Sequence, residues 1–150
     1  MPAVHAMIGA LAAYERLSHL HVATEADLYA SLFGPRPAAE VLIASKDGKP
    51  AAFALFFHNF STFLGRRGLW LEDLFVAPAF RRQGCAKALL RALAGIARNR
   101  GCGRFEWAVL DWNASAIEFY QSLGATVLPD WRIVRVVGDA LDTMASGPAD

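Results

Sequence analysis

Soft metal ligands are scarce in this chain: 150 residues include two cysteines and four histidines. Cys85 and Cys102 form no CxxC pair and no metal-ligand spacing with a histidine. His5, His19, His21 and His58 do not cluster along the sequence, so no metal site is expected. So few thiols read as those of a reduced, cytoplasmic protein. Charge of one sign is lacking too. Fifteen Lys plus Arg against fourteen Asp plus Glu leave a net charge of +1. A general nucleic-acid coat would carry a larger basic excess, so no nucleic-acid partner is expected. The opening, MPAVHAMIGALAAYERL, has no basic segment of the signal-peptide kind. No run reaches the roughly 18 apolar residues of a membrane helix, so no membrane partner is expected.

Apolar residues, by contrast, make up 55% of the chain, enough for one domain with a sizeable core. Val4, Met7, Ile8, Leu11, Tyr14 and Leu17 recur at helical spacing and predict a helix near Pro2 to Leu17. A second helix follows over residues 23–34, with Thr24 as cap, Asp27 at the third position and Gly34 as stop. EVLIAS and AAFALFFHNF read as strands joined by the turn KDGKP. STFLGRRG reads as a loop and LWLEDLFV as the returning strand. Residues 84–100 carry a helical apolar face, with Gly101 and Gly103 at its end. RFEWAVL alternates like a strand, NASAIEFYQSLGA reads as a helix closed by Gly124, and WRIVRVV as a last strand. ASGPAD looks disordered. This order predicts an α/β fold, a mixed sheet with both faces partly covered.

Chemistry concentrates where LEDLFV gives way to RRQGCA and a helix. The first N–H groups of a helix have no internal partner, and its dipole end is positive. Gly84 and Ala86 are small, so a ligand can approach the backbone. Arg81, Arg82 and Lys87 add charge, and the whole suits a pyrophosphate. An ordinary helix start with surface arginines has the same look. Glu72 and Asp73 stand in the middle of an otherwise apolar strand, where carboxylates need a reason. In a regular strand Glu72 shares a face with Leu74 while Asp73 lies opposite, so only a bulge lets both face one substrate.

RRQGCA after a strand resembles the Arg/Gln-x-x-Gly-x-Gly/Ala motif of the GNAT superfamily of acyl-CoA-dependent N-acetyltransferases. VLDWNASAIEFYQSLGA resembles the later strand, Asn and Tyr-bearing helix of that family. WLED, GCGR and DWNASAIEFYQSLGA are most similar to the spermidine/spermine (diamine) acetyltransferase branch and its relatives acting on thialysine. The resemblance covers roughly Met1 to Val137. It implies one N-acetyltransferase domain over residues 1–137, with residues 138–150 a partly disordered tail. The fold it implies is a mixed, mostly antiparallel sheet with helices on both faces. Family members start with a strand before the first helix that has no counterpart here, so either the start is misassigned or the sheet lacks its first strand, and a sheet edge left open in that way implies a homodimer.

The resemblance also assigns roles. The backbone of Leu74, Phe75 and Val76 would pair with the pantetheine arm of acetyl-CoA like an added strand. Arg81, Arg82, Gln83, Gly84, Cys85, Ala86 and Lys87 would hold the pyrophosphate, with Cys85 a bland small residue. Asn113, Ala114, Ser115 and Ala116 would meet the other side of the arm. Glu72 would be the base, directly or through water, Tyr120 the acid at the sulfur, and the Val76 N–H the oxyanion donor. Tyr14, Glu15, Glu72 and Asp73 would contact the amine. Ser61 and Phe63 stand where polyamine members carry an acidic residue and a tryptophan, which favours a shorter, less cationic amine. Taken alone, Tyr120 reads as a core tyrosine of an amphipathic helix and Glu15 as an exposed helix residue. Trp107 and Trp112 read as packing residues. The expected function is transfer of an acetyl group to the primary amine of a small molecule (diamine, polyamine or thialysine/lysine-like). The alternatives are a protein, peptide or antibiotic acceptor, or a CoA-binding module with little catalysis.

Overall fold

The computed structural model describes residues 1–147. It comprises two compact units, Met1–Ala108 and Val109–Asp150. In the first, helix α1 (Pro2–Tyr14) opens with Pro2, whose missing N–H is no loss in a first turn. It is shorter than the sequence periodicity suggests, because the chain turns into a short 3-10 helix at Ser18–Leu20. Helix α2 (Glu25–Phe33) starts on the expected capping box. The Thr24 side chain accepts from the Asp27 N–H, and the Asp27 carboxylate accepts from the Thr24 N–H.

Strands β1 (Glu40–Lys46), β2 (Lys49–Ser61) and β3 (Arg66–Val76) form an antiparallel meander. Asp47 and Gly48 both take positive φ, 50° and 73°, the two-residue hairpin that keeps the strands twisted together. Of the stretch expected as a loop after β2, residues 62–65 turn, while Ser61 ends β2 and residues 66–68 begin β3. Ser61, itself buried, accepts a hydrogen bond from the Leu64 N–H across that turn. Helix α3 (Cys85–Asn99) returns the chain to β4 (Phe105–Trp107), which runs parallel to β3 and completes the order β1-β2-β3-β4.

Strand alternation divides the apolar side chains between two faces. Phe53 and Phe75, paired across β2 and β3, meet Val4 and Met7 of α1. The opposite face carries the buried Ala52, Ala54, Phe56, Leu69 and Leu71. Helix α3 packs against β1, β2 and β3 and buries Leu89, Leu90, Leu93 and Ala97. Burial of each large side chain contributes about 1.5–3 kcal/mol. Helices therefore cover both faces of a mixed, mostly antiparallel sheet, as expected.

The second unit holds helices α4 (Ala114–Ser122) and α5 (Asp139–Ala145). Gly124, at φ 92°, closes α4 as its sequence suggests. The last strand expected over residues 131–137 does not form. Trp131, Ile133, Val134 and Val137 remain mostly exposed there, because alternation supplies strand propensity but no pairing partner. The region read as tail contains α5, whose first turn carries Asp139 and Asp142 at its positive end. The remainder of ASGPAD, residues 148–150, lies outside the described residues.

Candidate active site

The geometry of β3 turns on one extra residue. Leu55 of β2 pairs with Asp73, and its neighbour Phe56 pairs with Leu71, so Glu72 is the surplus residue of a β-bulge. The bulge resets the alternation. Leu69 and Leu71 stay buried on the face of Phe56, while Asp73 joins Trp70 on the face of Leu55 and Phe57. Glu72 turns the same way, since its Oε2 accepts from the Trp70 Nε1–H at 2.8 Å. Both carboxylates thus serve one face, which the regular strand assumed from sequence forbids.

The bulge also opens the strand edge. Pairing of β3 with β4 stops at Leu71–Trp107, next to the bulge, and β4 is shorter than RFEWAVL suggests. The Ala77 N–H bonds Ala51 of the β2 side, so Leu74 and Val76 direct their backbone groups to the other edge and Phe75 directs its own to β2. Among the described residues no strand pairs with that edge beyond Leu71. Of the three residues expected to bind an added strand, Leu74 and Val76 are oriented for it and Phe75 is not. The Val76 carbonyl already accepts from Arg81 Nε at 3.2 Å, which leaves its N–H available.

Beside this edge lies an acidic group. Burial, then Glu72, then Glu15 push the Asp73 carboxyl up to about 6. Burial also raises Glu15, which sits at the C-terminal cap of α1. Next to it, Tyr14 offers its ring to the Arg81 guanidinium at 5.1 Å. Tyr14, Glu15, Glu72 and Asp73, all expected as amine contacts, therefore belong to one neighbourhood. Among the described residues no three His, Cys, Asp or Glu side chains are placed to hold a metal. His5 and His21, scattered in sequence, do come together, with ring centroids 5.1 Å apart.

The expected anion loop splits into two kinds of residue. Arg81 is engaged by Val76, Tyr14 and Phe75, and Gln83 donates to the Ala79 carbonyl while accepting from Lys46 Nζ. These two shape the loop. Arg82 (φ 59°) and Gly84 (φ 84°) take left-handed backbone, and no atom occupies the space where a Gly84 side chain would be. Helix α3 begins next, with no side-chain cap on its first turn. Its free N–H groups, at Cys85, Ala86 and Lys87, are those a phosphate would use.

In the second unit, Asn113 occupies the N-cap of α4, and the Ser115 hydroxyl lies 3.4 Å from Asn113 Oδ1. Ala114 and Ala116 belong to its first turn. Tyr120 lies on the last turn of α4, half-buried, with its ring against Phe119. Trp107 packs on Phe105, as expected, whereas Trp112 is 52% exposed.

Residues 8–125 match the family model described as "Acetyltransferase (GNAT) family". The chain is a GNAT acetyltransferase. It is 35% identical to the L-ornithine N5-acetyltransferase NATA1 of Arabidopsis thaliana, over 96% of this chain and 83% of that protein. It is also 35% identical to the thialysine N-epsilon-acetyltransferase of Mus musculus, over 93% of this chain and 88% of that protein. An integron cassette protein from the mobile metagenome of V. cholerae has the same fold. Its TM-score is 0.80 and its identity 26%, over 97% of this chain and 91% of that one.

For an N-acetyltransferase, one residue of this neighbourhood, Trp70, escaped the sequence reading, as did the contacts of another, Arg81. Trp70 anchors Glu72, a pairing visible in principle as two residues of like facing on a strand. Arg81 ties α1 to the end of β3, a contact between distant segments with no local signal. Phe63, read as standing near the substrate, is fully exposed on the β2–β3 turn.

Proposed function

We propose that this enzyme transfers an acetyl group from acetyl-CoA to the primary amine of a small molecule bearing a second polar or cationic group. Diamines, polyamines and amino acids of the thialysine, lysine or ornithine kind are the class. The observation that carries this reading is the bulge at Glu72, which sets two carboxylates on one face beside an unpaired strand edge. The names of the two relatives, which act on thialysine and ornithine, support the amine class. The chain's fit for acetyl-CoA rests on the Leu74 and Val76 edge, the uncapped start of α3 and the open space at Gly84.

Acetyl-CoA supplies an activated thioester, whose carbonyl the amine attacks to form an amide and release thiol. Each residue then has a task. An alkylammonium has a pKa near 10.4, so presenting it as free amine at pH 7 requires roughly 4.6 kcal/mol. Glu72, fixed by Trp70, takes the amine proton directly or through water. Asp73 and Glu15 attract the second cationic group. The Val76 N–H donates to the developing oxyanion. Arg82, Lys87 and the first N–H groups of α3 hold the pyrophosphate, and Asn113, Ala114, Ser115 and Ala116 line the arm. Tyr120 gives its phenolic proton to the departing thiolate.

We also infer that the enzyme works as a homodimer. An outer edge of β1 that pairs with no strand among the described residues, and the exposed apolar residues at 131–137, support this.

The test is thiol release from acetyl-CoA with a panel of lysine, thialysine, ornithine, diaminopropane, putrescine, spermidine and a short peptide. Turnover is expected on a small amine. Glu72→Gln and Tyr120→Phe should each lower it about 100-fold or more, the usual range for a positioned base or acid. Turnover on the peptide alone, or no loss in Glu72→Gln, refutes this reading.

A further inference from the structure

A charged pocket lies at the other end of the sheet from the acidic face. Strand β3 runs from Arg66 to Val76, so its two ends are on the order of 30 Å apart at about 3.3 Å per residue. The acidic face and the start of α3 occupy one end. At the other, His58, Phe60, Arg66, Arg67 and Arg100 line a broad-mouthed pocket of about 590 Å³.

Its charge is uneven. Arg100 is held by a two-pronged pair with Glu40, at 2.5 and 2.8 Å, and is thereby neutralised. Arg66 and Arg67 have no carboxylate partner among the described residues. Two positive charges therefore remain. The end of α3 does not cancel them. Its last carbonyls already accept from the N–H groups of Arg100, Gly101 and Cys102.

His58 adds an independent sign. Its Nε2 is shut off from solvent and has no hydrogen-bond partner, an arrangement native proteins avoid. Burial, then Arg100, then Arg67 hold the ring below its ordinary titration range, against a smaller opposing pull from Glu40. A neutral imidazole protonated at Nε2 is a donor in search of an anionic acceptor.

We propose that this pocket binds the phosphate monoester of a small molecule. A monoester carries about −1.5 to −2 charge at pH 7, which matches the two free arginines. Guanidinium forks fit phosphate oxygens two at a time. His58 lines the same pocket, and a turn of its ring on binding brings the shielded Nε2–H to the anion as a third donor. Phe60, 60% exposed at the rim, offers a ring face to the organic group.

The histidine ring resonances of the 15N-labelled full chain test this, during titration with inorganic phosphate and with adenosine 5′-monophosphate. Sodium chloride keeps ionic strength constant. A saturable shift of His58 Nε2 is expected with both, tighter for the nucleotide, together with a rise in the His58 pKa. Arg66→Gln and Arg67→Gln should each weaken binding roughly tenfold or more, as loss of a charge-assisted bond does. Unchanged His5, His19 and His21 signals establish that these variants fold. Arg82→Gln, at the start of α3, should leave the His58 response intact. The proposal is overturned by a flat response to tens of millimolar phosphate, or by a shift that survives both arginine variants. It is equally overturned by a shift that vanishes in Arg82→Gln, or by binding of inorganic phosphate without the nucleotide.

Discussion

At the residue scale, Asp73 carries the most unusual chemistry. Its carboxyl titrates near 6 because burial and two neighbouring carboxylates disfavour its charge. An unfolded chain returns it to about 3.9. Between those values the folded protein binds the extra proton, so stability falls as pH rises from about 4 to 6 and is level above. Asp73→Asn removes that loss. Above pH 6 the variant should be more stable than the parent by a few kcal/mol at most, at roughly 1.4 per pH unit. Below pH 4 the two should be alike, and urea unfolding at pH 3.5 and 7.5 reads the difference. Activity should move the opposite way. If the charged carboxylate attracts the amine, kcat/KM of the parent rises through pH 6, and Asp73→Asn loses that limb. An unchanged limb would assign it to another group.

At the element scale, the start of α3 shows why a motif is legible when its chemistry is local. The turn RRQGCA could be read as an anion site because a helix start, small residues and arginines are neighbours in sequence. Gly84 earns its place by its left-handed backbone, φ 84°, with empty space where a side chain would point. Gly84→Ala should therefore be destabilising by about 1 kcal/mol from backbone strain alone. That corresponds to a fall of about 2–4 °C in Tm, readable by calorimetry. Acetyl-CoA binding should weaken too, as the added methyl meets the approaching phosphate. A stable variant with undiminished binding would remove this loop from the site. The bulge at Glu72 was not legible in the same way. Its signal is a pairing register between β2 and β3, fixed by which side chains reach the core across twenty residues. The stretch LWLEDLFV reads as a regular strand until Phe56 and Leu71 are seen to share a buried face. Arg81 behaves similarly. Its charge suggested a phosphate contact, while its contacts with Tyr14, Phe75 and Val76 depend on how α1 lies on the sheet.

At the scale of the whole molecule, the order of elements was legible from periodicity and turn residues, but the fate of residues 131–137 was not. Their alternation is that of a strand, and a strand is a relation between two segments. In the second unit no other strand exists among the described residues, so Trp131, Ile133, Val134 and Val137 stay exposed. Apolar surface of that kind marks association sites more often than free surface. The first unit meanwhile leaves the outer edge of β1 unpaired among the described residues, with Ile43 45% exposed. A second copy of the chain can satisfy both, and a C2 pair does so twice with one contact. Light scattering at micromolar protein should then give a mass near twice 16.3 kDa. Val134→Asp, which places a charge on the exposed segment without touching the buried core, should shift the mass to that of one chain. Its thermal midpoint should become insensitive to protein concentration, whereas that of the parent rises with it. A parent of single-chain mass across the micromolar range would exclude the dimer.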